Sequence, residues 1–574
     1  MKQYWSILKK YKASLLISPF LVLISVLSET IQPYFMSLIV DEGVIPKDMS
    51  VIGNIGVIMI VVSVVGLVIS IINVYVSSRA SIGFGTDLRS SLFDKIQALS
   101  FPDIDHFSPA SLITRLTNDI TKIQQVILMS MRIMLRAPLM LIMALFFVIN
   151  INSELALILA VSIPLLAISV FIIMRKGFPF FIKVQQKIDA LNGVVRENLI
   201  NIRVVKSFVR EDFETKKFIY SSEELRDIVI KASNIIITVF PVMQLILNMS
   251  ILAILWFGGN KVIDGNLKVG ELISFVNYLM QVLMSLMMLS MVFMTIARAS
   301  ASSQRILEVL NAESSLTDTE NALLNEYHIR QEGVEFRKVS FRYANGETDV
   351  LKNLSFQVQP GETIAVVGAT GSAKSSMVQL IPRLYDVTGG EILVDGINVK
   401  DIRLQILHQE VGMVLQKNDL FTGTILDNLK WGKPDATMEE VKDAARVAQA
   451  HDFIVSFTDG YDTMLGRGGV NVSGGQKQRL CIARALLRRP KILILDDSTS
   501  AVDSETEIKI RNGLKELLSD TTVFIITQRI STMQSSDRVI VLEDGEIEAF
   551  DTPDKLIKTS EVYKEIYYSQ QIVL

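Results

Sequence analysis

Six apolar stretches dominate the first 300 residues, at about 15–40, 52–78, 128–150, 154–175, 232–258 and 271–297. Each reaches the roughly 20 residues needed to cross a bilayer as a helix. The connections between them alternate in length. "DEGVIPKDMS", "ININSE" and "GNKVIDGNLKVGE" are short and hold few basic residues, whereas 79–127 and 176–231 are long, polar and helical in pattern, with Arg and Lys throughout. Positive charge is retained on the cytoplasmic side, so both termini and both long loops are expected to face inward across the cell membrane. Beyond a polar stretch at about 311–330 the pattern changes to alternating strand and helix. The chain therefore divides into an α-helical membrane domain with six transmembrane helices (1–315), a linker (316–330) and a soluble α/β domain (331–574).

Composition sharpens this division. Nearly half the 574 residues are apolar, and the mean hydropathy of +0.38 is high for a soluble protein. A net charge of −3 gives no argument for a nucleic-acid partner. The single cysteine, Cys481, excludes an intrachain disulfide framework and reads as a small packing residue. Lys2, Lys9, Lys10 and Lys12 before the first apolar run resemble the start of a signal peptide. The run is too long for one, lacks a small-residue cleavage site and is followed by further spans, so it is expected to be a retained helix.

Within the membrane half, Met280, Met284, Met287, Met291 and Met294 recur at helical spacing on one face of the sixth span. Soft thioethers suit a surface that accepts many apolar ligands, and they suit ordinary helix packing as well. Glu29 and Arg136 are ionisable groups in or near spans, which makes them functional candidates, although Arg136 is close enough to the inner surface to snorkel. Trp5 and Trp256 fit either interfacial belts or packing. "SPASLITRL" (108–116) and "FVREDFETKKF" (208–218) are expected to form short transverse helices that carry motion between membrane and soluble domain.

The soluble half carries the chemistry. "TIAVVG" (363–368) reads as a buried strand, followed by "ATGSAKSS" and a helical stretch. This is a phosphate-binding loop with one change. Gly368, Ala369, Thr370, Gly371, Ser372, Ala373 and Ser376 form the loop and the start of its helix. Lys374 is placed to reach β- and γ-phosphates, and Ser375 to ligate Mg²⁺. Ala373 stands where such loops hold glycine. Its methyl is absorbed, or weakens nucleotide binding, or is an engineered lesion. About 120 residues on, "KILILDDSTS" ends a buried strand in Asp496 and Asp497, where a metal-binding acid is expected. In "NVSGGQKQRL", Ser473, Gly474, Gly475 and Gln476 open a helix and form a second anion-facing terminus. Both sites serve one phosphate only if two domains pair head to tail.

These motifs, with "VLQ" ending at Gln416, "SAVD" and "ITQR", resemble in order and spacing the nucleotide-binding domain of ABC transporters, a P-loop NTPase. The six spans resemble the membrane domain of ABC exporters of the half-transporter type. The resemblance implies ATP and Mg²⁺ as ligands. It implies that Tyr343 stacks on adenine, that Ser375, Gln416 and Asp496 serve the metal, and that Asp503 communicates across a dimer. The two transverse segments match the family's coupling helices. In the family a Glu follows the first acid of the strand and a His follows the next strand; here those positions hold Asp497 and Gln528. The four histidines, His106, His328, His408 and His451, lie elsewhere. A shorter acid loses reach to an attacking water, and an amide cannot titrate near neutrality. The expectation is a degenerate site that holds ATP, beside an intact Ser473–Gln476 signature acting on a partner's ATP. That resembles one half of a heterodimeric bacterial multidrug exporter of hydrophobic small molecules, its companion carrying the missing Glu and His. A lipid flippase or an ATP-gated channel would share these motifs. A DNA-maintenance ATPase is excluded by the spans, and a peptide exporter with its own protease is disfavoured because nothing precedes the first span.

Overall fold

The computed structural model describes residues 2–318, 333–344, 346–517 and 520–571. The chain forms two compact units, one of residues 1–97 with 110–312, the other of residues 98–109 with 313–574. Residues 319–330 of the expected linker lie outside the described residues. Its first residues belong to the second unit, where Leu316 is buried and Asp318 accepts a hydrogen bond from Leu404 N at 2.9 Å.

Among the described residues, the first unit contains six helices long and apolar enough to span a membrane: Tyr4–Val44, Met49–Gln97, Pro109–Ile151, Ser153–Ile200, Glu211–Ile263 and one that runs from Val269 to Asn311. All six apolar stretches lie within these helices. The 49 residues of Met49–Gln97 measure about 74 Å at 1.5 Å per residue, well over the roughly 30 Å of a hydrocarbon core. The helix therefore continues far beyond the bilayer. Leu159 and Leu166 on the fourth helix, Leu247 and Ile254 on the fifth and Phe275, Tyr278 and Leu279 on the sixth form the main buried cluster. Tyr278 donates to Thr30 O at 2.9 Å, and its ring stacks on Phe147. On the predicted methionine face, Met280 and Met284 are exposed while Met287 packs on that cluster. The side chains of Met291 and Met294 lie outside the described residues. Trp5 and Trp256 are both exposed.

The two transverse segments are displaced from their predicted positions. Residues 109–116 already belong to the third spanning helix, and 211–218 to the fifth. The short helices precede them, at Phe101–Phe107 and Ile202–Ser207. Local chemistry sets the boundaries. Ser100 caps Phe101–Phe107 through a capping box with Asp103, and Pro102 occupies its first turn. Ser108 at φ +55° then breaks it. Val209 at φ +52° ends the second break, and Glu211, Asp212 and Glu214 open the long helix at its positive end. Both breaks rest on non-glycine residues at positive φ, which propensity does not anticipate.

In the second unit, six strands form a mainly parallel sheet in the order Glu546–Asp551, Arg538–Glu543, Thr363–Gly368, Thr522–Ile526, Ile492–Asp496, Val411–Val414, only the first pair being antiparallel. A four-stranded sheet lies beside it, ordered Leu351–Val358, Val334–Phe341, Gly389–Val394, Ile397–Asn398. Every residue of the three central strands is buried, as strands covered on both faces require. The register pairs Ile526 with both Val366 and Asp496, so three strands run out to the same edge of the sheet. Ligands of open parallel sheets bind outside such carboxyl ends.

Candidate functional site

A cavity of about 830 Å³ opens at that edge, lined by Thr370, Gly371, Ala373, Lys374, Ser375, Ser376, Gln416, Asp496, Asp497 and Gln528. Ser375 and Asp496, 121 residues apart in sequence, meet here because their strands reach the same edge. Lys374 Nζ donates to Gly368 O at 2.9 Å and Ala369 O at 2.7 Å, which folds the ammonium over its own loop. Ser375 Oγ donates to Asp496 Oδ1 at 2.9 Å. A hydroxyl, a carboxylate and the Gln416 amide thus supply oxygen donors of the kind Mg²⁺ takes beside phosphate. Ser372 is buried under the loop. A Cβ on Gly368 would meet Leu542 O at 2.2 Å, so glycine is obligatory there.

Ala373 is the N-terminal cap of Lys374–Gln379 and adopts φ +70°, ψ +25°. A left-handed L-residue costs roughly 1–2 kcal/mol. Its methyl packs against the apolar core that includes Met377 and Val378. The penalty of this substitution is thus backbone strain. Asp497 also has positive φ, +49°, so two strained residues flank the same cavity.

Electrostatics at the site follow from burial. Burial depresses the pKa of Lys374, against the pull of Asp496 and Asp497. Burial raises the Asp496 carboxyl, opposed by the bond from Ser375. It also raises Asp497, opposed by Ser500, Arg529 and Lys374.

Tyr343 stands beside the cavity, its hydroxyl 2.9 Å from Ser376 Oγ and its ring edge-on to Tyr385 and Phe341. Tyr385 donates to Asp105 Oδ2 at 2.6 Å, and its ring lies edge-on to Phe101. The short helix Phe101–Phe107 is therefore joined to the aromatic group around Tyr343. Asp103 of that helix accepts from Ser100 Oγ and Ser315 Oγ; burial disfavours its carboxylate, but these bonds prevail and its pKa falls below the usual range.

The signature residues do not line this cavity. Ser473 caps Gly474–Leu486 in a capping box with Gln476, Ser473 N donating to Gln476 Oε1 at 2.8 Å. A Cβ on Gly475 would lie 2.7 Å from Ala501 O, so the second glycine admits the 501 backbone. Three residues unmarked in the sequence reading tie these parts together. Buried Gln478 donates to Ser500 Oγ at 3.1 Å and accepts from Ala501 N at 2.9 Å. Arg529, next to Gln528, donates to Val502 O at 2.6 Å and pairs with buried Glu507. Glu507 Oε1 also accepts from Thr532 at 2.6 Å. Gln478 and Arg529 adjoin recognised motifs, a usable signal; Glu507 sits in a helix with no local mark.

Models of known families match two regions: the ABC transporter transmembrane region at residues 15–286 and the ABC transporter domain at 351–500. The uncharacterized ABC transporter ATP-binding protein YfiB of Bacillus subtilis is 40% identical over 99% of this chain and 98% of its own length. The chain belongs to the ABC transporter family. The putative multidrug export ATP-binding/permease protein YgaD of B. subtilis is 35% identical over 85% of this chain and 83% of its length. The ATP-dependent lipid A-core flippase of Syntrophus aciditrophicus is 33% identical over 80% and 76%. A bacterial Atm1-family ABC exporter with ATP bound superposes with a TM-score of 0.81 at 24% identity, covering 98% of this chain and 99% of that one. This ABC protein thus has the fold of an exporter half-transporter, a six-helix membrane domain fused to one ATP-binding domain.

Proposed function

We propose that this ABC protein is one subunit of a heterodimeric exporter of hydrophobic or amphipathic compounds. Its own ATP site retains nucleotide, and its signature acts on ATP held by a non-identical partner. The reading is supported by one cavity that combines Lys374, Ser375 and Asp496 with Asp497 and Gln528. The groups that bind phosphate are present, while those that would split it are each altered. The multidrug-export name of the relative YgaD supports the substrate class. The basic character of the long loops supports a cytoplasmic reading for both termini and the ATP-binding unit, with membrane lipid as a neighbour of the spans.

The mechanism assigns each group a task. Tyr343 offers its ring to adenine. Amides of 369–375 and Lys374 hold the phosphates at the start of a helix. Ser375, Asp496 and Gln416 would hold Mg²⁺, which would neutralise phosphate charge when bound. Asp497 ends one methylene short of Glu and leaves the attacking water unoriented. Gln528 donates a hydrogen bond to phosphate without exchanging a proton. Ser473 and the amides of Gly474 and Gly475 stabilise developing charge on the partner's γ-phosphate. Closure of the paired ATP-binding domains then drives alternating access in the helices.

The test is ATP turnover by the purified chain, alone and with its companion. Alone, it should bind ATP and hydrolyse it only slowly. Rapid turnover by the homodimer that is abolished by Asp497→Asn would refute the degenerate-site reading.

A further inference from the structure

Tyr343 lies two residues past the strand Val334–Phe341, on a turn closed by Gly346 N donating to Tyr343 O at 2.9 Å. Its side chain therefore takes its direction from contacts rather than from a sheet ladder. The hydroxyl lies 2.9 Å from Ser376 Oγ. The ring meets Phe341 at 4.8 Å and Tyr385 at 5.3 Å between centroids, both edge-on. Neither neighbour stacks on it, so the ring is held without filling the parallel place that a base would take. Phe341 is a buried strand residue with a packing role of its own. Tyr385 is only half-buried, and its contacts run elsewhere.

The backbone beneath Tyr385 is fixed. Arg383 turns the chain at φ +52°. Its buried guanidinium donates to Asp386 Oδ1 at 2.8 Å and to Thr317 O at 3.3 Å. The outer end of Tyr385 is fixed as well. Its hydroxyl donates to Asp105 Oδ2 at 2.6 Å, and its ring lies edge-on to Phe101. Both partners belong to the short helix Phe101–Phe107. Burial and the neighbouring Asp105 raise the pKa of this phenol, so it stays protonated and donating at neutral pH. Tyr385 is thus a fixed post between the short helix and a tyrosine that stands on a turn.

We infer that Tyr385 is a positioning residue for the nucleotide base. It holds the Tyr343 ring ready for adenine and is itself held by Asp105, so the base-dependent part of ATP affinity rests on both. The inference rests on the proposed role of Tyr343 as the adenine platform. A ring that wanders is competent for part of the time only, and apparent affinity falls by that fraction. The phosphate grip of Lys374 and Ser375 does not pass through Tyr385, so a ligand without a base is indifferent to it.

The experiment compares equilibrium binding of ATP and of inorganic tripolyphosphate to the full chain in phosphatidylcholine nanodiscs. Tyr385→Leu should weaken ATP binding about two- to tenfold, the worth of one edge-on aromatic pair, and leave tripolyphosphate binding unchanged. Tyr385→Phe keeps the ring and should recover part of that loss. Asp105→Ala should match Tyr385→Phe, and the two together should lose no more than either alone, because they remove one bond. Retained tripolyphosphate binding certifies the fold of each variant. Equal losses for both ligands, or unchanged ATP affinity in Tyr385→Leu, would overturn the inference; additive losses would overturn the part assigned to Asp105. Tyr343→Leu tests the underlying reading separately. If it weakens ATP selectively while Tyr385→Leu does not, the positioning role alone is refuted. If it leaves ATP binding unchanged, the adenine platform itself is refuted.

Discussion

Ala373 shows how one methyl acts through the backbone. At φ +70° it occupies a conformation that glycine adopts freely. Ala373→Gly should stabilise the soluble unit by about 1 kcal/mol, the lower end of the left-handed penalty, and raise its thermal transition by about 2–4 °C. It should also tighten ATP binding, because the loop no longer stores strain. Calorimetry and nucleotide titration check both; an unchanged or lowered transition would show that methyl packing outweighs the strain. His408 supplies a second residue-scale effect. Burial lowers its pKa below the ordinary value of 6.5, and its Nε2 lies 2.9 Å from Pro382 O. The folded state favours neutral imidazole, so its contribution is complete above the unfolded pKa and is lost as pH falls through the depressed folded value. His408→Gln should therefore flatten the acid limb of soluble-unit stability measured from pH 7 downward.

Among elements, the segment 500–503 is held from two sides, by Gln478 from the signature helix and by Arg529 from the strand end. Glu507 keeps Arg529 in place. Glu507→Ala should cost less than the roughly 3–5 kcal/mol of a fully buried pair, because the Arg529 side chain stays 29% exposed. The loss should be accompanied by faster amide exchange at 500–503, and protection unchanged there would show that Gln478 suffices. The nucleotide-facing elements were legible because strand, glycine-rich turn and lysine sit adjacent in sequence. The spans were legible because a bilayer imposes length and apolarity on contiguous residues. The short helices at 101–107 and 202–207 were misplaced because their ends depend on Ser108 and Val209 at positive φ, which no local propensity signals. Glu507 was missed for a different reason: it acquires meaning only from residues distant in sequence.

For the whole molecule, the proposed reading divides one cavity into groups that bind phosphate and groups that would split it. In the proposed reading, Lys374, Ser375, Asp496 and the signature grip phosphate, while Asp497 and Gln528 stand where a water-orienting Glu and a proton-relaying His are expected. On the binding side the one exchange is Ala373, whose methyl strains the loop without removing a phosphate-binding group. If the asymmetry is functional, restoring both groups should create a second hydrolytic site. Asp497→Glu with Gln528→His should raise ATP turnover of the purified chain by about a hundredfold or more, the range that a positioned base contributes. Each single change should give much less, since the two groups act on one water and one phosphate. In the assembled pair the same double variant should shorten the residence of radiolabelled ATP on this chain. Turnover that stays slow with both groups restored would locate the block elsewhere, in the strained turn at Ala373, and the triple variant with Ala373→Gly would then have to recover it.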